Sequence, residues 1–275
     1  MATTYSWTER GSPITAIPQR SVQLWVWKAL SRCVAPLFLC AAFVKTATAV
    51  EAPTTVGFNH TNYFETAYRE ARARFLLDTN HIESAWQFAR RCFDHAEFAT
   101  RDEQRAAIAR EGIAAARRAL ALNTNSAEGH YFLAMNLGQL ARTRLLGALK
   151  LVDEMEIEFK AAIVLDPKII YAGPHRSLGT LYREAPGWPA SVGDRAKARL
   201  HLEKAVEVIP YYPDNLLTLL ESYLDWGERK VAEDQLEKTE RVMTQARSRF
   251  TGPEWILAWQ DWEKRWRKLK ARLSQ

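Results

Sequence analysis

The stretch from Tyr171 to Thr239 carries one residue pattern twice, and that pattern constrains the fold of the whole chain. In the first copy Leu178-Gly179 and Tyr182 are followed by Ala198, Leu202, Ala205 and Pro210. In the second, Leu216, Leu219-Leu220 and Tyr223 are followed nine residues after the tyrosine by Ala232, and then by Leu236. Intervals of three and four place each set on one face of a helix. Small residues at fixed points let two antiparallel helices approach closely, while Tyr and Leu fill the holes between them. Such a pair cannot bury its apolar face alone, so a chain that repeats it must stack the copies. Apolar residues make up 47% of the 275 positions, enough for one sizeable core, and the alternation that strands require is scarce. The chain is expected to be all-α.

These positions resemble the consensus of the tetratricopeptide repeat (TPR), a helix-turn-helix of about 34 residues. The resemblance implies a TPR-like α-solenoid of antiparallel helix pairs with N- and C-terminal capping helices, in a domain spanning residues 61–275. Degenerate units fall at about 80–124, 126–167, 172–210 and 213–246. The first carries Trp86, Ala89 and Phe93, then Gly112, Ala116 and Ala119; the second carries His130, Leu133-Ala134 and Leu137, then Met155, Phe159, Ala162 and Pro167. A helix from about Thr61 to Leu77, with Phe64, Ala67, Tyr68, Ala71 and Phe75 on one stripe, is expected to cap the N-terminal end. Extra residues in the first two units are mostly good helix formers and are expected to lengthen the helices. The third insert contains Ala185-Pro-Gly-Trp-Pro189, whose two prolines exclude a helix interior; it must be a loop, with Asp194 restarting the helix as N-cap. Thr100 with Glu103 reads as a capping box, as does Thr251-Gly-Pro-Glu254 with Pro253 at the first helical position.

The last helix, over 253–273, repeats Trp255, Trp259, Trp262, Trp266, Leu269 and Leu273 at spacings of 4, 3, 4, 3 and 4. Two readings fit: a cap closing the apolar end of the stack, or a heptad-like seam for self-association or a partner. Lys264, Arg265, Arg267, Lys268, Lys270 and Arg272 lie mostly on its other faces, which suits a solvated surface or contact with a membrane surface.

Ahead of the repeats, Arg20, Lys28 and Arg32 lead into the apolar run Cys33 to Val44, and Ala47-Thr-Ala49 follows with small residues at −3 and −1. This is the order of a secretory signal peptide over 1–49, cleaved after Ala49, with a linker over 50–60. The apolar run spans about 18 Å as a helix against a bilayer core of about 30 Å, which disfavours an uncleaved anchor. Leu39 before Cys40 departs from a lipoprotein signal. Residues 1–49 hold five Lys/Arg and one Asp/Glu, so removing them takes the net charge from +6 to +2 and leaves nucleic-acid binding without its electrostatic basis. Two of the three cysteines also lie there, leaving Cys92 as small core filler.

The six histidines form no metal-ligand or nucleophile motif, and no phosphate-cradling loop is present, so neither catalysis nor a cofactor is expected. The strongest enzymatic alternative is an exported enzyme with a site around Tyr171, His175, Arg176, Tyr182, Arg183 and Glu184 beside Trp188. In the TPR family the first helix of each pair lines a concave surface. Carried onto this sequence, that surface holds Tyr131, Met135 and Gln139, then Arg176, Thr180, Arg183 and Glu184, then Asp214, Leu217, Glu221, Leu224 and Asp225. The binding residues expected are Trp188, Arg176, Arg183, Tyr182, Tyr131, Glu221 and Asp225. For Trp188 the alternative is a core plug folded onto Tyr182 and Leu202.

The run Gly147-Ala-Leu, Glu-Phe-Lys-Ala-Ala-Ile-Val-Leu-Asp-Pro167, Gly173-Pro-His-Arg-Ser-Leu-Gly-Thr-Leu-Tyr-Arg183, Ala-Pro-Gly-Trp-Pro189, Gly-Asp194 and His201-Leu-Glu-Lys-Ala205 resembles exported TPR proteins similar to the T component of TRAP transporters. The resemblance covers about Gly147 to Gly227. It implies a periplasmic, non-catalytic helper that docks a solute-binding protein or binds a small apolar or organic-acid ligand. A cytosolic peptide-binding TPR adaptor is the other alternative.

Overall fold

The computed structural model describes residues 60–144 and 146–275. The expected signal peptide over 1–49 and linker over 50–60 lie outside these residues, apart from His60, which opens the first helix. Among the described residues every regular element is helical, and an isolated bridge joins Gly187 to Gly193. The chain divides into two compact units, one holding residues 60–165 and the loop Glu184–Gly193, the other holding Asp166–Arg183 and Asp194–Gln275.

The first unit contains α1 (His60–Leu77), α2 (Ile82–Ala96), α3 (Asp102–Leu122), α4 (Ala127–Ala141) and α5 (Ala148–Leu165). Helices consecutive in sequence pack on one another, as a stack of TPR pairs requires. Side-chain caps set two of the starts: His81 accepts the N–H of Ser84 ahead of α2, and Ser126 accepts that of Gly129 ahead of α4. α1 covers the end of the unit through Phe64, stacked on Phe98 at 4.9 Å, and Phe75, stacked on Phe88 at 5.5 Å. In the middle, Gly112 makes room for Asn136, since a Cβ there would stand 2.1 Å from Asn136 Oδ1. Asn136 Nδ2 donates to the carbonyls of Ala89 and Phe132, both at 2.8 Å, so one buried amide ties α2 to α4 across the small face of α3. Cys92 is buried, and burial, with Glu111 and Asp94 nearby, pushes its thiol pKa up. The extra residues of these two repeats go partly into the second helices, at 21 and 18 residues against 15 for α2 and α4, and partly into the turns between. The capping box at Thr100 is a correction. Arg101 is the N-cap of α3 without a side-chain bond, and the N–H of Thr100 donates instead to Gln104.

The second unit contains α6 (Ile169–Glu184), α7 (Arg195–Val208), α8 (Pro213–Asp225), α9 (Arg229–Asp234), α10 (Leu236–Arg249), a 3₁₀ turn (Pro253–Trp255) and α11 (Ile256–Leu273). Ile170, Tyr171 and Ala172 have φ of 49°, 56° and 58°, so the right-handed helix follows Ala172 and holds Pro174 in its first turn, where a missing N–H is tolerated. Left-handed non-glycine residues cost roughly 1–2 kcal/mol each and persist only where their surroundings over-determine them. Here the Tyr171 ring stacks on Tyr212 at 4.5 Å, and its carbonyl accepts from Arg176 Nη1 at 3.1 Å and Asn215 Nδ2 at 3.2 Å. Farther along, a Cβ on Gly179 would lie 2.7 Å from Leu202 Cγ, the close approach of α6 and α7 that the repeat pattern required. Asp194 caps α7 as expected, accepting the Lys197 N–H at 3.0 Å.

The fourth pair departs from a single second helix: at Gln235 the backbone N–H bonds to Ala232 only three residues back, and the chain restarts as α10. The expected box at Thr251–Glu254 is also a correction. Gly252 takes φ of +100°, which turns the chain into the 3₁₀ turn, and α11 begins after Trp255 with no side-chain cap. α11 buries Trp262, Trp266, Leu269 and Leu273, with Trp255 buried just before it and Trp259 donating to the Phe250 carbonyl at 2.7 Å. Its tryptophan face is therefore spent inside the unit as a cap. The seam and membrane readings of that face lose their apolar surface.

Candidate functional site

The insert in the third repeat is a closed loop. Gly193 N–H donates to the Pro186 carbonyl at 2.8 Å, and the N–H groups of Ala190 and Ser191 both donate to the Gly187 carbonyl. A Cβ on Gly193 would fall 2.1 Å from the Ala185 carbonyl oxygen, so this crossing admits glycine alone. With its own backbone bonded and two prolines in five residues, the loop holds its shape, and it presents Trp188 at 88% exposure. A core plug would instead require that side chain to be covered. A tryptophan this open on a stiff loop loses little freedom on binding and offers a large apolar face.

The other residues expected to bind are placed differently. Tyr131 is buried at 1%, beside Phe132 and Phe159, and Tyr182 at 2%, with its ring 5.7 Å from that of His201. Arg176 is buried at 2%, with Nε 3.2 Å from Asp214 Oδ2 and Nη1 donating to Asn215 Oδ1 at 2.6 Å. These three are corrections: large side chains at such positions are the repeat's own filling, and the arginine serves the left-handed turn and Asp214. Arg183 donates to Ser222 Oγ. Glu221 receives Arg265 at 2.8 and 2.9 Å, and Asp225 receives Arg272 at 3.0 Å, both from α11. Burial alone would raise the pKa of Asp214, but the guanidiniums of Arg176 and Arg265 hold it below its ordinary value. The face of α8 is thus charged, ordered and already partnered. Of the seven expected residues, Trp188 and Asp225 are exposed, and Asp225 is the one of the two engaged by an arginine.

Of the enzymatic grouping around Tyr171–Trp188, His175, Arg176 and Tyr182 are buried. His175 Nδ1 lies 3.0 Å from His201 Nδ1, and burial with the neighbouring His201 lowers the His175 pKa to about 4. Among the described residues no cluster of three or more His, Cys, Asp or Glu could hold a metal ion, and no helix is long and apolar enough to cross a membrane. The contacts that sequence reasoning missed are those of Arg265 and Arg272. Their signal was present in the seven-residue spacing of two arginines on an otherwise apolar-striped helix.

A family model described as Regulator of microtubule dynamics protein 1-3 matches residues 58–170. No curated protein matches the chain. Among solved structures, TTC0263, a thermophilic TPR protein of Thermus thermophilus, is similar with a TM-score of 0.53 and 16% identity, covering 76% of this chain and 92% of that one. A crystal structure of MamA gives a TM-score of 0.47 at 18% identity over 69% of this chain and 93% of that one. The likeness to the Thermus protein shows the fold: this is an all-α protein of TPR-like helix pairs.

Proposed function

We propose that this protein is a non-catalytic TPR scaffold that binds a protein partner through the loop Glu184–Gly193, with Trp188 as the anchor. The observation that carries the reading is the exposure of that tryptophan on a loop braced by its own backbone bonds. Tryptophan is among the residues most enriched at binding hot spots, and a pre-ordered loop keeps its binding energy from being spent on ordering. The signal-like residues 20–49 support a site of action outside the cytosol, and the Ala-Pro-Gly-Trp-Pro motif supports a helper of a TRAP-type solute transporter whose partner is a solute-binding protein. The match to a microtubule-regulator model over 58–170 favours a second reading, an adaptor on a cytoskeletal partner.

Trp188→Ala decides whether the loop binds. Partner capture from a periplasmic or extracellular fraction, and cosedimentation with polymerised tubulin, should each be run with both proteins. The expected result is loss of about tenfold or more in affinity for one of them with an unchanged melting temperature. Unchanged binding to every partner that the parent protein captures would remove the loop from the function.

A further inference from the structure

The face of α8 is occupied by the chain's own last helix. Asp214, Thr218, Glu221 and Asp225 stand at intervals of four, three and four, which is one stripe along α8. Arg265 on α11 donates through Nε and Nη2 to the two carboxylate oxygens of Glu221, through Nη2 to Thr218 Oγ1 at 2.9 Å and through Nη1 to Asp214. Arg272, seven residues on, donates to Asp225. Each polar group of the stripe therefore meets an arginine of one helix, and the Glu221 contact is the bidentate fork that serves recognition of a carboxylate. Closing an apolar end would need only the Trp262, Trp266 and Leu269 beneath.

The fit of α11 is also incomplete. Its flank toward α10 is an open cleft of about 400 Å³ lined by Glu240, Met243, Thr244, Arg247, Glu263 and Trp266. Trp262 Nε1 is buried with no acceptor, a cost that release of the helix would recover. The connection through Thr251 and Gly252, with Gly252 at φ +100°, is short.

We infer that the acidic stripe of α8 is a helix-reading site and that α11 is its built-in ligand. The partner it fits in trans is a basic amphipathic helix carrying two arginines seven residues apart and Trp or Leu at alternating intervals of three and four. Charge complementarity with α11 fixes that chemistry. Tethering gives α11 an effective concentration on the order of millimolar, so the site stays closed to weak competitors and opens only to a partner that displaces the helix.

The probe is a fluorescent peptide of residues 253–275, read by anisotropy. The intact chain should take up the peptide at least about 100-fold less well than the full chain carrying Arg265→Glu and Arg272→Glu, whose melting temperature the peptide should raise. Because that variant can fail to fold, a second arm uses the full chain with a protease site inserted after Thr251 and cut after folding. Labelled peptide should exchange into the cut protein, and a peptide carrying Arg265→Glu should bind about 30-fold more weakly or worse. If the cut protein keeps its helix without exchange, unfolds on cutting, or takes both peptides equally, α11 is a fixed part of the core and the inference is wrong.

Discussion

At the scale of single residues, two predictions rest on close packing and on a buried histidine. Gly179→Ala puts a methyl group 2.7 Å from Leu202 Cγ and 3.0 Å from the Leu202 backbone nitrogen, so α6 and α7 must part. The expected loss is about 1–3 kcal/mol in a denaturant titration, with the slope unchanged. His175 gives the second. Its folded pKa of about 4 lies below the ordinary 6.5, so the unfolded chain takes up a proton that the folded chain refuses. The stabilisation is complete above pH 6.5 and is lost as pH falls toward 4. Between pH 7 and pH 5 it should amount to roughly 1–2 kcal/mol, and in His175→Gln that part of the pH slope should vanish. The small positions were legible in the sequence because a glycine or alanine at a fixed repeat point has one use. Tyr131, Tyr182 and Arg176 were not, because position alone does not tell a groove-lining side chain from one that fills the repeat.

Helices make the same division between what periodicity carries and what it does not. Existence and pairing follow from intervals of three and four, and the two prolines of the third insert forced a loop where the structure has one. Starts and breaks depend on a few backbone dihedrals that periodicity does not encode: the left-handed turn at Ile170–Ala172, the break at Gln235, the turn at Gly252. The heptad-like spacing of α11 was equally silent on its partner, since a cap and a seam need the same stripe. The arginines separate these cases by energy. Arg265→Met strips Glu221 of its bidentate partner and leaves Asp214 with Arg176 alone, and removing one partner of a buried ionic group costs about 3–5 kcal/mol. Arg272→Ala breaks an exposed pair with Asp225 and should cost no more than about 0.5 kcal/mol. Equal losses in the two variants, measured by thermal or urea unfolding, would mean that Arg265 is not the centre of the α11 contact.

For the whole molecule the decisive quantity is charge. The full chain carries +6, but residues 1–49 supply five cations and one anion, so residues 50–275 carry 33 basic and 31 acidic residues. A near-balanced surface of this kind releases few counterions from a phosphate backbone, whereas proteins with six to ten phosphate contacts lose about 10³–10⁵ in affinity between 50 and 200 mM salt. Two measurements on one preparation test the export proposal together with its consequence. Protein recovered from the extracellular or periplasmic fraction should begin at Val50 by N-terminal sequencing. Its anisotropy with duplex DNA should show no binding in the micromolar range at about 150 mM salt. An uncut chain held in the cytosol would remove the export reading. Tight, steeply salt-dependent DNA binding by the cleaved protein would mean that local clustering of basic side chains, such as Lys264, Arg267 and Lys268 on the outer face of α11, outweighs the net balance.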